Sequence, residues 1–390
     1  MAPRPSSISI SKIVAGGAAL FGGVLLALVT IELGMRLVGY GSVSTLAYGR
    51  AHYNPDLPEL GYAGRPNARG VQSNEGLSRL ALNSHGFHDV EHSAAKPLGT
   101  FRLMALGNSY TMADQVALAD GYVAQLGEAL KQCPALAGRD IETINLGVDG
   151  YTIHQQYLML RDYGLSLKPD FVLLQTNSFV VPGDLDPQKN LSPRLEKGPD
   201  GRVRVDYSYL DSPEFRAKSS HAAVLLQAAS DRSRLLQYAL QYRRIVKQEE
   251  AEADVPKEQA AKIDPAVFAR FARGRDLAFD EMVALLRARD IPLAVTIVPD
   301  ADARSRDPVS DEPIRREWRG LATRDGAPFI DVEEEARAEV RASGRYLHGF
   351  GARTGFGHLN RTGNAFFAKA LAARLCPLLG REHSASLAPK

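Results

Sequence analysis

The chain has 390 residues, 45% of them apolar, and 47 basic against 45 acidic residues for a formal net charge of +2. That length holds one large domain or two ordinary ones with appendages, and that composition is too polar for a multi-span membrane protein. The near-neutral balance does not suggest a polyanion-binding surface, so nucleic acid is not an expected partner.

Residues 13–31 carry no charge and no proline. As a helix they span roughly 28 Å, close to the roughly 30 Å of a bilayer's hydrocarbon. Arg4 and Lys12 supply a positive flank, shared by anchors and cleavable signal peptides. Glu32, Met35 and Arg36 follow instead of a small-x-small cleavage site, which favours an uncleaved signal anchor at 13–38. The flank places 1–12 in the cytoplasm and everything after Tyr40 on the far side.

A lead-in at 39–99 is broken by Pro55, Pro58 and Pro66, with a short strand through Leu80 and Leu82 running into a turn at 83–89. Its histidines His85, His88 and His92 share no helix face and no carboxylate pattern, so no metal site is expected. From 101 a parallel α/β rhythm sets in: strand 101–106, helix 122–131, strand 143–146, helix 153–163, strand 171–174. Repeated strand-helix-strand units with short connections predict a doubly wound, mostly parallel sheet over 100–380.

The rhythm breaks at 181–266, where Pro182, Pro187 and Pro193 precede an amphipathic helix around 222–246 and a charged run at 247–262. The run reads as a solvated face, and the insertion is placed to be a lid or substrate-selecting subdomain. The pattern then resumes with helix 268–287, strand 293–298, helix 312–323, strand 328–332 and a last helix at 362–379, for which Asn360 is a candidate N-cap. Residues 381–390 form a tail.

Candidate chemistry gathers at the strand ends, where open α/β sheets bind ligands. Ser109 follows the first strand in Gly107-Asn108-Ser109-Tyr110-Thr111. The second strand ends in Asn145-Leu146-Gly147-Val148-Asp149-Gly150, where Gly150 lets a backbone N–H approach a ligand. The third ends in Gln175-Thr176-Asn177-Ser178, bringing the neutral Asn177 amide donor to the same edge. His358 lies just ahead of the last helix. The two cysteines, Cys133 and Cys376, lack metal-ligand spacing. They are placed to bond if the first and last domain helices pack side by side in an oxidising compartment.

The order of these blocks resembles the SGNH, or GDSL-type, hydrolase superfamily of esterases, lipases and carbohydrate deacetylases. The resemblance covers about 61–379, including the Asn83-Ser84-x-Gly86-Phe87-x-Asp89 lead-in of its membrane-anchored bacterial members. It implies a flavodoxin-like three-layer fold, no cofactor, and acyl transfer in which Ser109 attacks an ester and His358 takes its proton. The Ser109 and Gly150 N–H groups and the Asn177 side chain would hold the oxyanion. It further implies an acylated glycan or lipid substrate and an inner-membrane location with the domain facing the periplasm. Three blocks depart from the pattern. Asn108 replaces an aspartate, the glycine and aspartate around Asn177 are missing, and Gly355 stands where the acid that orients the histidine belongs. These departures imply a Ser-His dyad or incomplete triad, or an impaired domain retained as a binding or scaffolding subunit of a membrane complex.

Overall fold

The computed structural model describes residues 10–41, 44–48, 60–72, 75–177, 191–253, 265–300 and 312–386. Outside the described residues lie Arg4, Pro55, Pro58, Ser178, Pro182, Pro187, the 254–262 part of the charged run and the end of the tail.

Helix α1 (Ile10–Leu37) contains a 24-residue stretch, Val14–Leu37, of mean hydropathy 2.2 with none of it buried. It is long and apolar enough to cross a membrane, a property it shares with signal sequences. Two antiparallel pairs follow, β1 (Leu46–Tyr48) with β2 (Tyr62–Gly64), and β3 (Arg69–Gln72) with β4 (Ser78–Ala81).

The central sheet comprises β5 (Thr100–Leu106), β6 (Asp140–Asn145), β7 (Phe171–Thr176), β10 (Leu293–Ile297) and β11 (Phe329–Ile330), all parallel, in the order β6-β5-β7-β10-β11. Side chains alternate across a strand, so each strand feeds two cores. Met104, Leu106, Val172, Leu174, Val295 and Ile297 face one layer, with α4 (Ile153–Asp162), α8 (Pro265–Arg287) and α9 (Glu312–Arg324). Leu103, Ala105, Phe171, Leu173 and Ala294 face the other, with α3 (Tyr122–Leu130), α10 (Glu333–Ser343) and α11 (Arg361–Ser386). The result is the three-layer, doubly wound α/β fold expected from the sequence.

Helices α3 and α11 do pack side by side. The Tyr122 and Phe367 rings lie 5.0 Å apart, the Tyr122 N–H donates to Asn364 Oδ1 at 2.9 Å, and Cys133 and Cys376 are disulfide-bonded with Cα atoms 5.6 Å apart.

The lead-in packs into this domain. Leu60, Tyr62 and Phe87 belong to the first core, and Asp89 Oδ2 accepts the Asn145 N–H at 2.6 Å. His92 bridges carboxylates, its Nε2 donating to Asp89 at 2.8 Å and its Nδ1 to Glu142 at 2.6 Å, while the buried Arg102 donates to Glu142 at 2.6 Å. Burial opposes a charged His92, but Asp89 and Glu142 outweigh it and raise its pKa above the ordinary value. His88 instead donates Nδ1 to Met112 O at 2.8 Å, and the His85 ring lies tilted against Tyr163 at 5.4 Å, so the three histidines serve separate surroundings.

In the insertion, β8 (Arg194–Lys197) and β9 (Val203–Asp206) form a hairpin about Pro199-Asp200-Gly201, followed by α5 (Pro213–Lys218). The single helix expected at 222–246 is two, α6 (His221–Arg232) and α7 (Arg234–Ala253), separated by an extended Ser233 at φ −126° and ψ 119°. The break has a tertiary cause. The Glu32 carboxylate of α1 accepts the Arg234 and Leu235 N–H groups, each at 3.0 Å, and so caps α7.

Candidate active site

Strand β5 ends at Leu106, and Gly107 and Asn108 turn the chain into the single-turn helix α2 (Ser109–Met112). Asn108 is its N-cap, with Oδ1 accepting the Tyr110 N–H at 3.2 Å, so the amide that replaces the expected aspartate keeps its capping role. Ser109 therefore begins a helix at the carboxyl edge of the sheet, at the switch point between β5 and β7 where the strand order reverses.

His358 Nε2 lies 2.8 Å from Ser109 Oγ. The acid behind it is Glu75, which was not among the residues singled out from the sequence. Its Oε2 is 2.6 Å from His358 Nδ1 and its Oε1 accepts the His358 backbone N–H at 2.7 Å. Burial pushes the Glu75 carboxyl up, but the His358 ring and backbone outweigh it and hold the pKa below the usual value. The carboxylate is thus ionised at neutral pH and can only accept. Nδ1 must donate to it, which leaves the Nε2 lone pair facing the Ser109 hydroxyl. Burial likewise works against a charged His358, yet the hydrogen bond and charge of Glu75, aided by Asp149 and Asp114, raise its pKa.

Glu75 sits in the connection between β3 and β4, next to the residues immediately after α2. Gln72 donates to Asp114 Oδ2 at 2.7 Å, and the Ser78 hydroxyl donates to the Asp114 carbonyl. The same hairpin therefore grips the chain that carries Ser109. On the other side, Gly357 has φ +88°, and a Cβ there would overlap Glu75 Oε1. A glycine next to the histidine is what lets the carboxylate in from the lead-in. Gly355, at the position where the resemblance placed an acid, donates its N–H to His348 O at 2.9 Å and holds the loop shape.

The remaining edge groups are linked by a buried polar chain. The Tyr122 hydroxyl lies 2.9 Å from Thr111 Oγ1, which donates to Gln175 Oε1 at 2.8 Å. Gln175 Nε2 donates to Asn177 Oδ1 at 3.0 Å. With Oδ1 occupied, the Asn177 NH₂ is turned away from Gln175, and it has no acceptor among the described residues. From β6, Asn145 donates to Thr111 O at 2.8 Å and accepts the Gly147 N–H at 2.9 Å, clamping the β6 loop onto α2. Gly150 follows with φ +72°, and a Cβ there would sit 2.8 Å from the Tyr62 hydroxyl. The backbone N–H groups of Ser109 and Gly150 also lack an acceptor among the described residues.

A cavity of about 690 Å³ flanks the serine, its lining including Asn108, Asn177, Tyr151, His154, Arg194 and Arg270. His154, partly buried there, has its pKa pushed down to about 3 by desolvation and by Arg194, so it is neutral, and its Nδ1 accepts the Leu195 N–H at 3.1 Å. Among the described residues no group of three His, Cys, Asp or Glu side chains has the arrangement of a metal site.

No family model matches the chain, and no curated protein sequence matches it significantly. Among solved structures it is similar to an acetyl xylan esterase at 17% identity and TM-score 0.38, over 70% of this chain and 100% of that one. It is also similar to a variant of an acetylxylan esterase from Geobacillus stearothermophilus at 13% identity and TM-score 0.39, over 72% and 96%. A third, a protein described as lipolytic and of G-D-S-L family from Desulfitobacterium hafniense, aligns at 14% identity and TM-score 0.35, over 70% and 99%. Likenesses this distant assign no activity. Five parallel strands in the order β6-β5-β7-β10-β11 between two helical layers make a doubly wound α/β fold, with Ser109 and His358 in hydrogen-bond contact at the carboxyl edge of its sheet.

Proposed function

We propose that the chain is a membrane-anchored serine esterase or acyltransferase of SGNH type, with Ser109 as nucleophile, His358 as general base and Glu75 as the acid that orients it. The observation that carries this reading is the unbroken relay Glu75–His358–Ser109, at 2.6 and 2.8 Å. His358 takes the Ser109 proton as Oγ bonds to the ester carbonyl carbon. Glu75 stabilises the imidazolium, and the oxyanion is held by the N–H groups of Ser109 and Gly150 and by Asn177 Nδ2. His358 then protonates the leaving alcohol. Water, or the hydroxyl of an acceptor, attacks the acyl-serine with His358 again as base. Gln175 positions Asn177 in this scheme and does not itself touch substrate.

The flanking cavity, whose mainly apolar lining also carries Arg194, Arg270 and Tyr151, suits an acylated glycan that offers hydroxyls to the polar groups and an acyl group to the apolar ones. The bonded Cys133–Cys376 pair suits an oxidising compartment, and with Arg4 and Lys12 ahead of the span this favours a domain on the periplasmic side of an inner membrane. The scaffolding alternative was motivated by Gly355 in place of the acid, by Asn108 and by the long insertion, and Glu75 beside His358 speaks against the first of these. The test is hydrolysis of short acyl esters and acetylated oligosaccharides by the full chain in detergent. Activity abolished in Ser109→Ala and His358→Ala is expected. Activity that survives in Ser109→Ala, or none in the unaltered chain, overturns the proposal.

A further inference from the structure

Helices α6 and α7 present apolar stripes outward. On α6, Ala222, Leu225, Leu226 and Ala229 fall on one helical face and all are exposed, Leu225 to 70%, while the helix contains no buried residue. On α7, Tyr238, Ala239 and Tyr242 do the same, with Tyr238 at 47% and Tyr242 at 58% exposure. An apolar stripe at helical spacing marks the side a helix buries, so two adjacent stripes open to the surroundings call for a partner.

The position of this helix pair identifies that partner. Counted from Val14, twenty residues of α1 at about 1.5 Å each cover the roughly 30 Å of hydrocarbon, so the boundary falls at about residues 32–36. The α6–α7 junction is bound at that level. Ser233 Oγ and the Arg234 and Leu235 N–H groups donate to Glu32, and Arg36 donates to Glu32 at 2.7 Å and to the Arg232 carbonyl. The Tyr40 ring meets Tyr238 at 6.1 Å. The junction is also fixed to the domain, because Arg65 pairs with Asp231 in two hydrogen bonds.

We infer that α6 and α7 form a membrane-docking element whose Leu225, Leu226, Tyr238 and Tyr242 lie in the headgroup–acyl boundary of the bilayer that α1 crosses. This rests on the reading of α1 as a retained anchor. Tyrosines and leucines suit that layer, and the exposed Arg232 and Arg243 are available to lipid phosphates. The domain is then held against the membrane at a set height by Glu32 and Arg65, not suspended on a tether.

The test reconstitutes the full chain in phosphatidylcholine–phosphatidylglycerol vesicles as Leu226→Trp and, separately, Tyr242→Trp. Trp318, buried in the first core, provides a constant background. Interfacial helices sit about 5–10 Å into the boundary, so the new tryptophan should emit at shorter wavelength than in detergent-free water and lose roughly half its intensity to lipid brominated near the top of its acyl chains. Unchanged thermal midpoints check that both variants are folded. A chain that floats with the vesicles and keeps its N-terminus, yet shows no quenching beyond the unaltered chain, overturns the docking element and leaves the anchor standing. Self-association that shields the tryptophan without bromine quenching overturns it in favour of a second copy. A full, folded chain that keeps its N-terminus and does not float with the vesicles overturns both readings.

Discussion

Glu75→Gln is the change with the sharpest expected consequence. Both carboxylate oxygens are engaged as acceptors, Oε2 from His358 Nδ1 at 2.6 Å and Oε1 from the His358 N–H at 2.7 Å. A glutamine keeps the shape but offers one acceptor and one donor. If its oxygen stays on the backbone N–H, its NH₂ faces Nδ1, the ring proton moves to Nε2 and the base facing Ser109 is blocked. If the amide flips, two donors face each other at the backbone. By analogy with removal of the acid from a serine triad, kcat should fall by about 10⁴, or roughly 5.5 kcal/mol, with KM little changed. The pH profile carries an independent signature. The base must be neutral, and the raised His358 pKa puts the acid limb above the ordinary 6.5. Without Glu75 its hydrogen bond and charge no longer raise the pKa against burial, and the limb moves down. Gly357→Ala should produce much of the same loss by displacing Glu75, and should add little on top of Glu75→Gln. The assay is kcat, KM and their pH dependence for the full chain in detergent on a chromogenic acetate ester. Activity within about threefold of the unaltered chain and an unmoved acid limb would refute the role of Glu75.

Asn177→Ala should lower kcat by about 10²–10³ as an oxyanion donor, and Gln175→Ala should lower kcat less, both read from steady-state kinetics at saturating ester. Cys133→Ser should destabilise the domain by about 2–5 kcal/mol, because the bond closes a loop of 243 residues, and this is read as a lowered denaturation midpoint. His92 has a raised pKa in the fold, so its contribution to stability is complete below pH 6.5 and is lost as pH rises through the folded value. Denaturation midpoints measured across that range should fall with pH less steeply in His92→Gln than in the unaltered chain.

The parts of this architecture that were legible in the sequence are those encoded locally. Buried strands such as 101–106 and 171–174 read as apolar runs, and glycines and polar residues at their ends mark the carboxyl edge on which Ser109, Gly150 and Asn177 sit. Glu75 was not legible because nothing near it in sequence points to His358, which lies 283 residues away and is reached only through the β3–β4 hairpin. The clue was indirect: a glycine at 357, beside the histidine, marks a close approach from outside the local loop. The break at Ser233 was hidden for the same reason, since the carboxylate that caps α7 belongs to α1. Helix α10 was missed because only Glu333, Ala336 and Val340 of its eleven residues are buried, too sparse a stripe to stand out beside its charges. The β8–β9 hairpin does carry a turn signal in Pro199-Asp200-Gly201, but its strands are short and charged, so the alternation is diluted.

The central claim, that Ser109 is an activated nucleophile, is tested most directly by a fluorophosphonate, which forms a stable bond only with a serine whose base and oxyanion donors are in place. The full chain should gain one adduct, located by peptide mass spectrometry on Ser109, and labelling should be lost in His358→Ala and strongly slowed in Glu75→Gln. No adduct on a folded chain, or an adduct on Ser109 formed equally fast without His358, would contradict it.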